Sequence, residues 1–461
     1  MREACGLFGM FSPRLDPGIG KTVYYGLIAL QHRGQESAGI AVSDGKRIKY
    51  HKGLGLVNDV FNEEVLSELN GCIAIGHVRY STTGSNTLDN AQPVVVTDED
   101  RTLAVAHNGN IVNTKEIRKN LEEKGFTFRS TTDSEIIAQL LLKNSSDLAR
   151  ACCSLMEVLK GAFCLLIMDR TKLVVVRDPF GFRPLSIGKL DDCVVIASET
   201  VALDAVGAEY VRDVKPGEVL IVSEHGVESF TMNSEKNAFC IFEFVYFARP
   251  DSVLEGVSVY KARERAGRIL AIEHAVDADV VVGVPDSGTV AAIGYSNQSG
   301  IPYGMGLIKN KYIGRTFIEP SQKLRNLGVR LKLNALKELV RDKRVVLVDD
   351  SIVRGTTMGQ IVKMLKSAGA RSVHVRVASP PIRFGCYFGV DTSDRRELIA
   401  AFLGEKQIEE LIGADSLGYL SLEGLLKAVD LPAERLCLAC FNGDYPVEVP
   451  SYCTKYLFEK G

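Results

Sequence analysis

The stretch with the clearest chemical potential is an apolar run that ends in two adjacent carboxylates. Residues 345–357 read VVLVDDSIVRGTT, so Asp349 and Asp350 lead into a loop of hydroxyls and glycine. In open α/β sheets, ligands bind beyond the carboxyl ends of the strands. The loop supplies backbone N–H groups, hydroxyls and a helix start, and all of these suit a phosphate group.

Two carboxylates in front of a phosphate need a partner, because they would otherwise repel it. A polyhydroxylated sugar donates hydrogen bonds to carboxylates, and Mg²⁺ prefers oxygen ligands. An Asp pair alone is more often a turn that caps the next helix. The whole thirteen-residue pattern instead favours a sugar-phosphate site assisted by Mg²⁺.

This pattern resembles the sugar-phosphate loop of the type I phosphoribosyltransferases, which use phosphoribosyl pyrophosphate (PRPP). Residues 283–288, GVPDSG, resemble that family's pyrophosphate loop, and residues 309–316 have the polar, Gly-containing character of a mobile lid. The resemblance implies one Mg²⁺ per subunit, held by Ser287, Asp349 and Asp350. The PRPP contacts that it implies are Asp286, Ser287, Lys309, Lys311, Asp349, Asp350, Ser351, Arg354, Gly355, Thr356 and Thr357.

A second candidate site begins at Cys5, which opens an apolar, Gly-spaced run. A lone Cys is normally a small buried hydrophobe. If residues 1–4 are removed, however, Cys5 carries a free α-amine. The reference pKa of that amine is ~7.7–8.0, close to the ~8.5 of the thiol. The amine can then act as a base for its own side chain.

Four further fragments offer the groups that amide hydrolysis needs. Residues 76–82, GHVRYST, contain Arg79, which can clamp a carboxylate. Residues 107–110, HNGN, offer an amide side chain and a glycine N–H as oxyanion donors. Residues 130–135, STTDSE, add a carboxylate for an ammonium group, and residues 31–39 are placed to frame the same pocket. Taken singly each is weak, since HNGN could be a turn and Arg79 an exposed strand residue.

Together these fragments resemble the glutaminase domain of the N-terminal-nucleophile amidotransferases, which release ammonia from the side-chain amide of glutamine. The resemblance implies Cys5 as the nucleophile and Asn108 with Gly109 as the oxyanion hole. It implies that Arg79, Thr82 and Asp133 bind glutamine. It also implies that residues 1–4 are a propeptide cleaved before Cys5 by the protein itself.

Four of the eleven cysteines, Cys240, Cys386, Cys437 and Cys440, form a third candidate site. A C-x₂-C pair with two distant cysteines can bind Zn²⁺ or an iron–sulfur cluster, and buried thiols are the plain alternative. The iron–sulfur branch of the PRPP-using amidotransferases carries Cys at corresponding places. This resemblance implies one [4Fe–4S] cluster per subunit, with a structural role.

The elements that must position these residues differ between the two halves of the chain. In the first half, short apolar runs and amphipathic stretches at 114–124 and 134–143 predict an α+β domain. In the second half, apolar runs at 279–285, 344–350 and 374–379 are followed by helical stretches, which predicts a parallel α/β sheet. We place the two domains at residues 5–235 and 236–461, the second ending in the cluster-binding segment.

The two family resemblances imply the fold class. The first half is expected to be an αββα N-terminal-nucleophile glutaminase domain, and it is joined to an α/β type I phosphoribosyltransferase domain. The combination implies hydrolysis of glutamine and transfer of the ammonia to C1 of PRPP, giving 5-phosphoribosylamine and pyrophosphate. This is the first committed step of purine synthesis. The alternatives are a nucleotide-binding regulator that has lost its chemistry and, less in keeping with the PRPP loop, a hexosamine synthase. The family further implies a homotetramer inhibited by purine nucleotides.

Composition excludes several other classes of protein. The chain has 461 residues, a net charge of −2 and 46% hydrophobic residues, as expected for two or three globular domains. A near-neutral chain is a poor candidate for a dedicated nucleic-acid binder. Residues 309–344 are the exception, with eleven Lys and Arg against three acids, and they fall where a polyanion needs cover. No apolar run approaches the ~20 residues of a membrane span, and no secretory signal is evident, so we expect a cytoplasmic protein.

Overall fold

The computed structural model describes residues 5–80, 84–98, 101–144, 147–232, 236–310, 312, 332–390, 392 and 394–450. Within these ranges, no helix is both long and apolar enough to cross a bilayer. Residues 1–4, 82 and 311 lie outside the described residues, as do residues 313–316 of the expected lid. The expected domain boundary adjoins residues 233–235, which are also outside, and it stays a prediction.

In the described residues of the first half, thirteen strands form two antiparallel sheets. Their bounds are β1 Gly6–Asp16, β2 Ser37–Ser43, β3 Ile48–Leu54, β4 Gly71–Arg79, β5 Val94–Thr97, β6 Thr102–Ile111, β7 Gly161–Met168, β8 Leu173–Arg177, β9 Ser186–Leu190, β10 Cys193–Ala197, β11 Glu209–Asp213, β12 Glu218–Ser223 and β13 Gly226–Thr231. One sheet has the order β11-β9-β10-β1-β4-β2-β3, and the other has the order β13-β12-β8-β7-β6-β5.

The two sheets stack face to face through alternate residues of their central strands, which are apolar on both faces. Leu7 and Ile75 of the first sheet share one buried cluster with Ala106 and Leu166 of the second. Helices cover the outer faces, which completes the four-layer αββα arrangement that the sequence predicts. These helices are Ile19–Ala29, Val57–Val60, Glu63–Glu68, Thr114–Glu122, Asp133–Asn144, Leu148–Val158 and Thr200–Val206.

The second half contains the predicted parallel sheet. The described strands of this half are β14 Phe239–Cys240, β15 Val253–Leu254, β16 Val257–Ser258, β17 Val280–Gly283, β18 Leu307–Lys309, β19 Leu333–Ala335, β20 Arg344–Asp349, β21 Ser372–Val377, β22 Ser416–Tyr419 and β23 Leu436–Cys437. The order β17-β20-β21-β22 forms the main sheet, and each neighbouring pair in it is parallel.

Both faces of this sheet are buried, which explains why its strands are continuous apolar runs. Val346 and Val348 of β20 enter one apolar cluster, while Val345 and Leu347 enter the other. The helices of this half are Val259–Glu273, Thr289–Ser299, Lys337–Val340, Thr356–Ser367, Glu405–Ile412, Leu422–Val429 and Ala439–Asn442, with a π-helical turn at Glu243–Phe247. The strands and helices that the sequence predicts are therefore confirmed to within a few residues.

Two glycines allow helices Val259–Glu273 and Thr289–Ser299 to pack backbone against backbone. A Cβ on Gly267 would lie 1.9 Å from the carbonyl oxygen of Ala291. A Cβ on Gly294 would lie 2.0 Å from the carbonyl oxygen of Glu264. This helix pair packs on one face of the parallel sheet, in the same apolar cluster as Val346 and Val348 of β20.

We predict that Gly267→Ala destabilises the protein by about 1–3 kcal/mol, because the new methyl group has no space. Gly359→Ala is the matched control, since its Cβ would meet nothing closer than Ile412 at 3.6 Å. That change should be neutral or stabilise by up to about 1 kcal/mol through helix propensity. Thermal unfolding of both variants checks this. An unchanged midpoint for Gly267→Ala would contradict the close approach.

Candidate active sites

Cys5 lies immediately before β1, beside the end of β4, because Gly6 pairs with Val78 across the sheet. Its Sγ donates to the carbonyl oxygen of Tyr80 at 3.3 Å, and its own carbonyl accepts from Arg33 Nε at 2.9 Å. Burial raises the pKa of the thiol, and the Tyr80 backbone and the Arg79 cation offset this only in part. A buried thiol with a raised pKa needs a base before it can act as a nucleophile.

Arg79 ends β4 and is buried, with a side chain that donates to Ser85 O at 3.2 Å and Gly84 O at 3.5 Å. The alternative of an exposed strand arginine is therefore wrong. The guanidinium acts electrostatically on both Cys5 and Asp133. A buried cation at this place suits a carboxylate ligand.

Asp133 begins helix Asp133–Asn144 and is buried beneath the same sheet end. Its carboxylate accepts from the Ile111 N–H at 3.1 Å and lies 3.5 Å from His107 Nδ1. Burial works to raise the pKa of Asp133, but His107, the Ile111 N–H and Arg79 outweigh it and lower the pKa. The carboxylate is thus ionised and fit to hold an ammonium group.

Asn108 and Gly109 lie within β6, so the alternative that HNGN forms a turn is wrong. Asn108 is buried, and in the part of the chain that the structure describes its Nδ2 has no hydrogen-bond partner. Gly109 has φ +151°, and a Cβ there would lie 2.0 Å from the carbonyl oxygen of Ala162. An unpaired buried donor costs about 1–3 kcal/mol, so each such group calls for an explanation. A developing oxyanion would supply the missing acceptor.

The second site lies where β20 ends. Asp349 and Asp350 are adjacent, the Asp350 N–H donates to Asp349 Oδ1 at 2.9 Å, and the Ser351 hydroxyl donates to the Asp350 carboxylate. Burial and the neighbouring Asp350 raise the pKa of Asp349 well above its ordinary value. Two carboxylates held this close favour a cation between them or hydroxyl donors in front of them.

The loop at residues 283–288 lies against this pair, as the sequence predicts. The Val284 N–H donates to Val348 O at 2.8 Å. A Cβ on Gly288 would lie 2.4 Å from the same oxygen, so the contact requires glycine. Ser287 and Asp350 line one cavity, and Lys309 forms an ion pair with Asp286 at 2.5 Å.

The rest of the expected phosphate loop leads into helix Thr356–Ser367. Gly355 precedes the helix with φ +74°, a conformation that favours glycine, and Thr356 and Thr357 are exposed in the first turn. Arg354 is half exposed and forms an ion pair with Glu397, a partner that sequence analysis missed. The loop therefore presents hydroxyls, a helix start and an arginine on one side of the sheet.

Cys240, Cys386, Cys437 and Cys440 line a single cavity between β14, β23 and helix Ala439–Asn442. Cys240 and Cys437 lie opposite each other in the parallel β14–β23 pair. Burial raises the pKa of Cys240 to about 12 and also raises the pKa values of Cys437 and Cys440. The four thiols are brought together and are not bridged. Within the described ranges, no three His, Cys, Asp or Glu side chains are arranged to hold a metal ion.

Sequence analysis also missed two residues of the buried interior near Cys5. His107 was noted only as part of HNGN, yet it stands beside the Asp133 carboxylate. Glu243 is fully buried and pairs with Arg33, although residues 240–247 read as an apolar run, CIFEFVYF. A lone acid inside an apolar run was the available signal, because Glu is almost never fully buried unless paired.

Comparison with known families and structures agrees with this arrangement. The family described as "Glutamine amidotransferase domain" matches residues 77–205, and the family described as "Phosphoribosyl transferase domain" matches residues 259–379. The amidophosphoribosyltransferase of Methanocaldococcus jannaschii is 52% identical over 96% of this chain and 98% of its own. That of Bacillus subtilis is 49% identical over 97% and 95%, respectively.

Two solved structures are similar over nearly the whole chain. A structure of the allosteric regulatory enzyme of purine biosynthesis has a TM-score of 0.93 at 47% identity, and it covers 99% of both chains. A B. subtilis PRPP amidotransferase complexed with ADP and GMP has a TM-score of 0.91 at 48% identity, over 98% and 99%. The chain therefore belongs to the amidophosphoribosyltransferase family, with a glutamine amidotransferase domain followed by a phosphoribosyltransferase domain.

Proposed function

We propose that this chain hydrolyses glutamine to glutamate and ammonia and transfers the ammonia to C1 of PRPP. The products of the second reaction are 5-phosphoribosylamine and pyrophosphate, and the step opens purine synthesis. The observation that carries the proposal is the pairing of two sites in one chain. Cys5 stands with Arg79 and Asp133 at one end, and Asp349 and Asp350 end a parallel strand in the other half.

Glutamine binds with its α-carboxylate on Arg79 and its α-amine on Asp133, and Thr82 adds a further contact. The α-amine of Cys5 takes the thiol proton as sulfur attacks the amide carbon. Asn108 Nδ2 and the Gly109 N–H hold the oxyanion. The amine then returns the proton to the leaving nitrogen, ammonia departs, and water hydrolyses the thioester to glutamate.

At the second site, the carboxylates of Asp349 and Asp350 hold the ribose hydroxyls, while Ser351, Arg354, Gly355, Thr356 and Thr357 hold the 5-phosphate. Asp286, Ser287, Lys309 and Lys311 hold the pyrophosphate. A Mg²⁺ bound by Ser287, Asp349 and Asp350 would neutralise charge that builds on the pyrophosphate oxygens. The raised pKa of Asp349 supports this, because a cation relieves the repulsion between the two carboxylates.

The four cysteines would hold one [4Fe–4S] cluster per subunit. Desolvation raises the pKa values of Cys240, Cys437 and Cys440, so these thiols are poor thiolates alone, and a cationic iron core is the partner that would stabilise them. The cluster would tie the C-terminal segment to the start of the second half.

Regulation and assembly follow the family. Purine nucleotides would inhibit by occupying the PRPP site, a proposal supported by the related B. subtilis structure with ADP and GMP. We further propose a homotetramer that works in the cytoplasm.

The two activities should separate by mutation. Cys5→Ser should abolish use of glutamine but leave synthesis from added ammonia intact, because the thiol serves only the first site. Asp349→Asn should lower synthesis from either nitrogen source by about 10²-fold, through lost transition-state electrostatics. Rates of pyrophosphate release with each nitrogen source check this. A folded Cys5→Ser protein that cannot use ammonia would contradict the assignment, as would an Asp349→Asn protein with wild-type rates.

The cluster has a stoichiometric signature. Protein purified without oxygen should be brown and contain about four irons and four sulfides per chain. Cys437→Ser should remove the colour and lower stability, whereas Cys153→Ser, on a helix away from the cavity, should leave both unchanged. If elemental analysis finds zinc and no iron, the four cysteines form a structural zinc site and the cluster assignment is wrong.

Maturation should remove residues 1–4. In the unprocessed chain the nitrogen of Cys5 is an amide and cannot act as a base, and Ala4 would stand where glutamine binds. We predict an N-to-S acyl shift in which the thiol attacks the Ala4 carbonyl, followed by hydrolysis. The intact mass of active enzyme decides the matter. A mass that begins at Met1 together with full glutaminase activity would show that no free α-amine is needed.

A further inference from the structure

Four charged side chains form a buried network directly behind Cys5. Arg33, Glu199 and Glu243 have fully buried side chains, and that of Arg183 is 1% exposed. Burial works against the charge of Arg33, but Glu243 and Glu199 raise its pKa above the ordinary value. The two cations and two carboxylates balance one another, which is the condition for keeping such groups out of water.

All three nitrogens of the Arg33 guanidinium donate hydrogen bonds. Nη1 donates to Glu199 at 2.5 Å and to Glu243 Oε2 at 2.9 Å, and Nη2 donates to Glu243 Oε1 at 2.8 Å. The third nitrogen, Nε, donates to the main-chain carbonyl of Cys5 at 2.9 Å. Because the guanidinium is rigid and planar, the bidentate pair with Glu243 fixes the direction in which Nε points.

Glu243 and the two arginines that bind it come from different halves of the chain. Arg33 follows the first helix, and Arg183 lies between β8 and β9, both within the amidotransferase part. Glu243 begins the π-helical turn Glu243–Phe247, three residues after Cys240 and 210 residues after Arg33. Helix Val259–Glu273 holds the same turn, since Arg263 donates to the carbonyls of Phe244 and Ala248. Arg263 in turn lines the cavity that contains Ser287 and Asp350.

We propose that Glu243, supplied by the phosphoribosyltransferase half, is a positioning residue for the glutamine reaction. It sets the Arg33 guanidinium, and Arg33 sets the main chain of Cys5. The proposal rests on the proposed function, in which Cys5 is the nucleophile. It makes the glutamine site dependent on a side chain from the other half of the molecule.

The physical need arises from the position of Cys5 at a chain end. Once residues 1–4 are removed, one peptide bond alone holds Cys5, and its Cα carries both the thiol and the α-amine. Rotation about that end would move the base and the nucleophile together, away from the amide carbon. A hydrogen bond to the Cys5 carbonyl removes this freedom, and misplacement by about 1 Å can cost about 10²-fold in rate.

The competing explanation is that this ion network is purely structural. A second carboxylate at the same junction allows the structural role to be distinguished from the positioning role. Glu255 pairs with Arg177 of the first half at 2.9 Å and with Arg435 of the second at 3.1 Å. Glu255 therefore joins the halves through Arg177, as Glu243 does through Arg33 and Arg183. Neither arginine forms a described hydrogen bond to Cys5, so Glu255 shares the structural role without the positioning role.

The test compares Glu243→Gln with Glu255→Gln in the full-length, cluster-containing enzyme. We expect Glu243→Gln to lower kcat for glutamine about 10- to 100-fold with little change in the KM for glutamine, because Arg79 and Asp133 still bind the substrate. Synthesis from added ammonia should stay within about twofold of wild type in the same sample, since that reaction does not use Cys5. Glu255→Gln should leave both rates within about twofold.

Equal loss of both activities in Glu243→Gln would show a structural role only, and a wild-type glutamine rate would also overturn the proposal. If Glu243→Gln does not fold, Arg33→Lys decides, because it keeps the cation and removes the Nε donor. Arg33→Lys should lose the glutamine reaction alone, and a wild-type rate of that reaction would overturn the proposal.

The Cys5→Ser variant distinguishes failure of the proposed function from failure of the positioning role. If that variant still uses glutamine, the proposed function fails, whereas an inactive Cys5→Ser beside an active Glu243→Gln removes only the positioning role.

Discussion

Both sites of this protein depend on charged groups that are held out of water, and at the amidotransferase site these charges compensate one another within a few ångströms. Arg79 and Asp133 stand near the buried thiol, Arg33 stands behind it, and Asp349 shares a strand end with Asp350. Asp349 lies beside a like charge, and its pKa is raised. An isolated buried charge would shift its pKa and neutralise, so Arg79, Asp133 and Arg33 keep their charges only while their partners stay in place. The sheets and helices are the means by which those partners are kept in place.

The two halves meet this constraint with different architectures. In the first half, Cys5 and Arg79 belong to one sheet and Asn108 to the other, so stacking of the two sheets assembles the site. In the second half, neighbouring parallel strands end at the same edge, so Asp286 and Asp349 converge without any help from a second sheet. The amidotransferase site is therefore the more sensitive of the two to how layers pack.

This difference explains what the sequence could predict. The residue 345–357 pattern is contiguous, and strand, loop and helix appear in the order in which they act, so both the element and its chemistry could be predicted. The Arg33–Glu243 pair joins residues 210 positions apart, and no local pattern links them. The place of HNGN within β6, with an unpaired Asn108 donor, is equally non-local, because it depends on pairing with β7.

One short segment makes contacts with both halves of the chain at their junction. Residues 239–247 contain Cys240, which lies opposite Cys437, and Glu243, which holds Arg33. If the proposed cluster fastens Cys437 and Cys440 to Cys240, it also restrains Glu243, because Glu243 follows Cys240 by only three residues. A displacement of Cys240 would then pass through Glu243 and Arg33 to the carbonyl of Cys5. A cluster that takes no part in either reaction would by this route still bear on the geometry of the glutamine site.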